Sequence, residues 1–253
     1  MVSADFIKDI LRSLWLYLFA VITMPVGFAG AFLVWLVTVL FDRRLVILHL
    51  YSCFWASLYT WAAPFWKVTI ENKEKIDSKK VYVMVSNHQS MLDILVLYRL
   101  FVHFKWVAKI ELFKIPLVGW NMSLNRYIRL RRGHRSSILH MIRDGREMLR
   151  SGSSLMIFPE GTRSETTEIN RFKEGAFHLA KETGVPLLPI VLDGTGRAIP
   201  KHGAFIRGKH HLKVRILDEI PPETFRGMST TELTAHVREI MIRELERMRQ
   251  ENS

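Results

Sequence analysis

The sequence predicts an α/β protein: a mostly parallel sheet covered by helices, preceded by an N-terminal two-helix membrane hairpin. Three observations carry this expectation. Short β-rich runs alternate with helical spacings after residue 67, as in sheets covered on both faces. Two long uncharged runs occupy the first 66 residues. The charge is split unevenly: residues 1–66 carry 4 basic and 3 acidic groups, and residues 67–253 carry 32 and 21, out of a formal total of +12. The expected organisation is therefore a membrane-associated hairpin over 1–66 and a catalytic-size domain over 67–253.

The first run, Leu14–Phe41, has 28 residues and no charged side chain. As a helix it would be roughly 42 Å long, more than a ~30 Å hydrocarbon core needs. Pro25, Gly27 and Gly30 lie within it and suggest a kink or break. The second run, Leu45–Trp66, has 22 residues with only His49 titratable. Positive charge flanks every end (Lys8, Arg12, Arg43, Arg44, Lys67), so no inside–outside asymmetry orients the pair. Asp5 and Asp9 argue against a cleaved signal peptide. The one cysteine, Cys53, excludes a disulfide scaffold, and the 49% hydrophobic content excludes a disordered chain.

Beyond residue 67 the elements follow in order. Val81–Val85 reads as a strand and Met91–Phe101 as an amphipathic stretch. Trp106-Val107-Ala108 and Tyr127–Leu130 are β-rich, with a loop through Pro116 and Gly119 between them. Ile138–Leu149 has helical spacing, Leu155–Phe158 is a strand, Phe172–Lys181 a helix and Leu187–Leu192 a strand. Leu212–Leu217 alternates apolar and basic residues, as a half-buried strand does. Ser229-Thr230-Thr231-Glu232 is a capping box. It opens a helix whose apolar stripe is Leu233, Val237, Ile240, Met241, Leu245 and Met248.

Candidate chemistry gathers at strand ends, where open α/β sheets place their sites. After the first strand comes Asn87-His88-Gln89-Ser90-Met91-Leu92-Asp93. From the first turn of the next helix Asp93 can reach back to one nitrogen of His88, leaving the other free to take a proton from a hydroxyl. Ser90 and Asp93 also fit a helix-capping box, and on spacing alone both readings stand. After Leu155–Phe158 comes Phe158-Pro159-Glu160-Gly161-Thr162-Arg163-Ser164. Gly161 permits a tight turn, Thr162 and turn amides can donate to an anion, and Arg163 has the planar fork that suits phosphate. An ordinary strand-exit turn with a solvated arginine is the simpler alternative.

Two basic clusters lack acids: residues 126–135, with Arg126, Arg129, Arg131, Arg132 and Arg135, and residues 194–217. Such runs are usually solvated faces. Beside a membrane segment, anionic lipid suits them better than nucleic acid. No metal-ligand spacing stands out among the ten histidines, and no Gly-rich nucleotide fingerprint is present. The expectation is of no metal and no cofactor.

These stretches resemble the ordered motifs of the glycerolipid (1-acyl-sn-glycerol-3-phosphate) acyltransferase family. The 87–93 stretch resembles its His-x4-Asp motif, and 158–164 its phosphate-binding motif. Val107–Pro116 resembles the block whose lysine, here Lys109, also meets the substrate phosphate. Tyr127–Arg132 resembles the second motif, ending on Arg132, and Val185–Ile190 the fourth. The second motif departs from the family pattern: Arg126 stands where Gly is usual, and Arg131 where an acid is common.

The resemblance implies a membrane acyltransferase with His88 and Asp93 catalytic. Lys109, Arg163, Glu160, Gly161, Thr162 and Arg132 would form the substrate-phosphate site. An acyl group would pass from acyl-CoA or acyl-carrier protein, a co-substrate rather than a cofactor, to the sn-2 hydroxyl of lysophosphatidate, giving phosphatidate. A lysophospholipid or lyso-ornithine lipid is the alternative acceptor. The implied partners are membrane lipids, lysophosphatidate, the thioester donor and carrier protein, with no nucleic acid. The implied place is a bacterial inner membrane with the domain on the cytoplasmic side. A hydrolase using Ser90 as nucleophile, or a basic membrane-binding module without activity, would belong to other classes.

Overall fold

A computed structural model describes residues 4–203 and 205–251. Helix α1 (Ala4–Thr38) runs unbroken through Pro25, about 52 Å at helical rise. Its buried positions are 13, 16, 27, 31 and 38, which fall on a single stripe at 100° per residue. Phe6, Leu14, Val21, Ile22, Val26, Leu33 and Leu36 are among the large apolar side chains left exposed around it. Gly27 and Gly30 are not breaks. A Cβ at either would overlap the Trp55 or Tyr51 side chain of helix α2 (Val46–Trp61), so they let two large aromatics seat against α1.

The uncharged run Leu45–Trp66 is not one helix. It ends as a helix at Trp61, where Pro64 lies just ahead and blocks continuation. Trp66 already begins strand β1 (Trp66–Glu71). At 16 residues α2 is about 24 Å long, short for a bilayer core. Its Cys53 and Ala56 belong to the same core cluster as the sheet. Of the two hairpin helices, α1 is apolar and largely exposed, and α2 lines the domain. Among the described residues, Asp5–Thr38 alone is long and apolar enough to cross a bilayer.

The remaining strands are β2 (Val83–Ser86), β3 (Phe104–Lys109), β4 (Ile128–Leu130), β5 (Ser154–Ile157), β6 (Leu187–Asp193) and β7 (His210–Ile216). They form one sheet ordered β1-β7-β6-β2-β5-β3-β4. Every pairing is parallel except β6 with β7. Side-chain alternation splits the interior into two faces. Met84, Met156 and Leu188 point to the cluster shared with α2 and with α3 (Leu92–Tyr98). Val83, Val85, Leu155 and Ile157 point to the cluster under helices α5 (Arg135–Arg150), α6 (Gly175–Thr183) and α9 (Thr230–Gln250). The other helices are short: α4 (Val118–Leu124), α7 (Thr195–Ala198) and α8 (Pro222–Phe225).

The capping box at α9 forms as the sequence suggests. Ser229 Oγ accepts the Glu232 amide at 3.1 Å, and Glu232 Oε2 accepts the Ser229 amide at 2.7 Å. α1 is docked along most of its length. Asp9 accepts the Gly208 amide at 3.0 Å, Ser13 accepts the Ile206 amide at 2.9 Å, and Trp15 donates to the Ala62 carbonyl at 2.8 Å. Near the other end Ala31 packs with Leu45 and Leu48, beside Val39 and Leu124.

Candidate active site

Strand β2 ends at Ser86, and Asn87 extends its pairing with β6 by side chain. Its Nδ2 donates to the Leu192 carbonyl at 2.9 Å, and its Oδ1 accepts the Leu192 amide at 2.8 Å. The chain then turns sharply into α3, and the turn carries His88. Nδ1 of His88 lies 2.8 Å from Asp93 Oδ2. The same oxygen accepts the amides of Gln89 at 2.7 Å and Ser90 at 2.9 Å. One oxygen of Asp93 thus makes both contacts the sequence offered it, to the His88 ring and to the Ser90 amide. With Nδ1 donating to the carboxylate, Nε2 is the acceptor nitrogen. The ring stacks on Phe158, centroids 4.0 Å apart and planes 12° apart, and Phe158 stacks in turn near Trp106.

Ser90 is not presented as a nucleophile. It is fully buried, donates to the Ile199 carbonyl at 2.8 Å and accepts the Leu92 amide at 3.2 Å.

The loop after β5 is tied to the His88 loop through main chain. The His88 carbonyl accepts the Ser164 amide at 2.7 Å. The His88 amide donates to Glu160 Oε1 at 2.7 Å, and Glu160 Oε2 accepts the Asn170 amide at 2.9 Å. Glu160 is buried, and burial pushes its carboxyl up while these amides pull it back. Both of its oxygens are spent on main chain, and a carboxylate would repel phosphate. Its place is that of a tie between loops, not of a phosphate ligand. Gly161 has φ of +71°, a left-handed turn that favours glycine. A Cβ there would meet the Lys173 Nζ at 2.9 Å. Thr162 is exposed and Arg163 half-buried.

Lys109 closes β3, with its side chain 44% exposed and its amine 3.7 Å from Glu111. Arg132 follows β4 and is half-buried; burial lowers its pKa, while the Glu111 carboxylate raises it. Lys109 and Arg132 thus share Glu111 as a charged neighbour. The strand order decides the constellation. β2, β5, β3 and β4 are consecutive neighbours, so His88, Arg163, Lys109 and Arg132 emerge side by side at carboxyl ends.

Sequence reasoning missed Lys173, whose amide donates to the Pro159 carbonyl at 2.8 Å while its amine lies over Gly161. Being ten residues past Arg163 and just ahead of α6, it gave no local signal. Phe158 was noticed only as a strand end. The second basic cluster is largely neutralised. Arg197 pairs with Asp193, Lys201 with Glu165, and Arg215 with Glu71, Glu244 and Glu251. The first cluster is divided by β4, with Arg126 before the strand and Arg132 beyond it.

His88, braced by a carboxylate, lies beside cations on adjoining strand ends, an arrangement that suits a proton acceptor next to an anion-binding face. The acyltransferase family model matches residues 67–193, and the chain belongs to that family. The chloroplastic 1-acyl-sn-glycerol-3-phosphate acyltransferase LPAT1 of Arabidopsis thaliana is 39% identical over 174 residues, 68% of this chain and 48% of that protein. A probable 1-acyl-sn-glycerol-3-phosphate acyltransferase of Mycoplasma genitalium is 30% identical over 180 residues, 66% of this chain and 67% of that protein. The crystal structure of the 1-acyl-sn-glycerophosphate acyltransferase PlsC from Thermotoga maritima superposes with a TM-score of 0.79 at 29% identity, covering 96% of this chain and 97% of that one. The chain spans about half the length of the first curated relatives it matches.

Proposed function

We propose that this chain transfers a fatty acyl group from acyl-CoA or acyl-carrier protein to the sn-2 hydroxyl of lysophosphatidate, giving phosphatidate. The observation that carries the reading is the His88–Asp93 contact of 2.8 Å beside a row of strand-end cations. The names of the relatives, 1-acyl-sn-glycerol-3-phosphate acyltransferases, support the same acceptor.

Nε2 of His88 takes the proton of the acceptor hydroxyl. The oxygen attacks the thioester carbonyl, and the tetrahedral adduct collapses with loss of the thiol. The proton held on Nε2 passes to the leaving sulfur. Asp93 holds the ring in the tautomer that starts this cycle. Lys109, Arg163 and Arg132 hold the phosphate, which fixes the hydroxyl near the base. Thr162 and the Gly161 turn offer further donors to it. No acyl-enzyme is required, in keeping with the buried, engaged Ser90.

The site of action is a membrane surface. α1 touches the rest of the protein from Asp9 to Ala31, about 33 Å of helix. A helix bound along that length cannot leave the domain to cross a bilayer, so α1 lies in the plane with its exposed face in one leaflet. The proposed place is a bacterial inner membrane with the domain on the cytoplasmic side, where thioester donors are made.

The test is purified protein with labelled thioesters and a panel of lyso-acceptors, followed by lipid mass analysis. Phosphatidate should dominate. His88→Ala should stay folded and membrane-bound and lose on the order of 10²–10⁴ in rate. Turnover at the wild-type rate in that variant overturns the mechanism, and preference for a phosphate-free acceptor overturns the substrate.

A further inference from the structure

A second basic cavity lies at the opposite end of the sheet. It encloses about 230 Å³ and is lined by Arg43, Arg44, Lys105, Arg126, Glu147 and Ser153, among others. Lys105 is the second residue of β3, Arg126 lies just ahead of β4 and Ser153 just ahead of β5. The cavity thus sits at strand amino ends, whereas His88 and Arg163 follow carboxyl ends. Six-residue β3 puts roughly 16 Å between the two ends.

The charges in it are unbalanced. Four cations face one carboxylate, Glu147, which is exposed. Asp42, the nearby acid of the hairpin turn, accepts the Ile47 amide at 2.7 Å and so caps α2. Among the described residues Arg43 and Arg126 make no ion pair, and Arg44 donates to the Gly152 carbonyl at 2.8 Å. Lys105 is 2% exposed and donates to the Asn125 carbonyl at 2.9 Å. Burial pushes its amine down to about 7, and Arg126 adds to that against the pull of Asp42. A buried amine with no carboxylate on it is an expensive arrangement unless an anion completes it.

Arg126 adds a second kind of evidence. Its φ is +55°, a left-handed conformation that costs an arginine and would cost a glycine nothing. A strained backbone that brings a guanidinium to a basic cavity points to a use for that charge. Next to the cavity, Leu40 and Phe41 precede the turn and are 88% and 68% exposed. Two bare apolar side chains beside a cationic pocket match the boundary between acyl chains and headgroups.

We propose that this cavity binds the phosphate of an anionic phospholipid headgroup, apart from the acceptor site, and anchors the hairpin end of the protein. Arg43 and Arg126 reach the phosphate oxygens, and Lys105 supplies the charge at the floor. Leu40 and Phe41 lie along the acyl chains. A free phosphate ion would use the same cations but would have no call on those two side chains.

The test uses full-length protein in a neutral detergent, titrated with dihexanoyl phosphatidylglycerol, dihexanoyl phosphatidylcholine or inorganic phosphate. Bound lipid is counted by native mass spectrometry. The variant is Arg126→Gly with Arg43→Gln, which suits the left-handed backbone and so should fold. Wild type should retain phosphatidylglycerol saturably, at least tenfold more tightly than phosphatidylcholine. The double variant should lose that preference, and Arg163→Ala and His88→Ala should keep it. Those last two separate this cavity from the acceptor site, so it stands or falls independently of the acyltransferase reading. Unchanged retention in the double variant, or equal binding of the zwitterionic lipid, overturns the proposal. Displacement of the lipid by inorganic phosphate at equal concentration overturns the lipid assignment in favour of a free anion.

Discussion

Glu160 accepts the backbone amide of His88 at 2.7 Å, and this bond ties the His88 loop to the loop that carries Arg163. The position of His88 is set from the main chain as well as by Asp93 through its ring.

Glu160→Gln should weaken both the fold and the reaction without touching substrate. The amide has one oxygen where the carboxylate offered two, so either the His88 or the Asn170 amide is left without its acceptor. A buried donor left unpaired costs about 1–3 kcal/mol. Thermal unfolding should register that loss. Turnover should fall with little change in acceptor KM; an unchanged unfolding midpoint would refute the tie.

Asp93→Asn should be more severe for chemistry. Three donors converge on Oδ2 of Asp93. An asparagine serves fewer of them, and presenting its NH2 to Nδ1 would reverse the imidazole tautomer. The expected loss is on the order of 10²–10⁴ in kcat, read alongside circular dichroism to separate catalysis from folding.

Lys109→Ala and Arg163→Ala should each lower kcat/KM for a phosphate-bearing acceptor. A charge-assisted hydrogen bond contributes about 1.5–3 kcal/mol, roughly 10- to 150-fold. Arg132→Ala and Lys173→Ala extend the series to the flanks of the row. With lyso-ornithine lipid as acceptor the same variants should be nearly silent, because there is no phosphate to hold.

Acid should destabilise the domain through two histidines remote from the site. His49 Nδ1 lies 2.8 Å from the Tyr127 hydroxyl and Nε2 3.0 Å from the Val102 carbonyl. Burial drives the His49 pKa well below 6.5 and that of His103 down to about 4. With folded pKa values below the unfolded one, the unfolded chain binds more protons between pH 6.5 and 4. Stability therefore falls as pH drops through that window. His103→Gln should flatten part of this dependence in denaturant melts at pH 7, 6 and 5.

Much of the site was readable from local spacing. The six residues from His88 to Asp93 fit one loop and one helical turn, and the Gly161 turn needs a conformation that its residue type announces. What spacing could not reveal is what faces Glu160. A glutamate beside Thr162 and Arg163 reads as part of an anion cradle, and only the fold shows both oxygens turned onto main chain. Lys173 was missed for the same reason, since its proximity to Gly161 arises through packing. In the fold, α9 was legible because its stripe and its cap agree. Hydrophobicity alone does not show where the run Leu45–Trp66 passes from helix to strand. Pro64 and the alternation from Trp66 to Glu71 were the signals that divide it. Gly27 and Gly30 were read as weakness along α1, whereas they are sockets for Trp55 and Tyr51.

The single buried stripe of α1 has a kinetic consequence. If the other faces of the helix lie in a leaflet, as proposed, enzyme and lyso-acceptor move in two dimensions and meet there. The quantity that governs encounter is then the mole fraction of acceptor among the lipids, not its amount per volume of solution. Adding inert lipid at constant total acceptor should slow the reaction, as diluting a solute slows one in water.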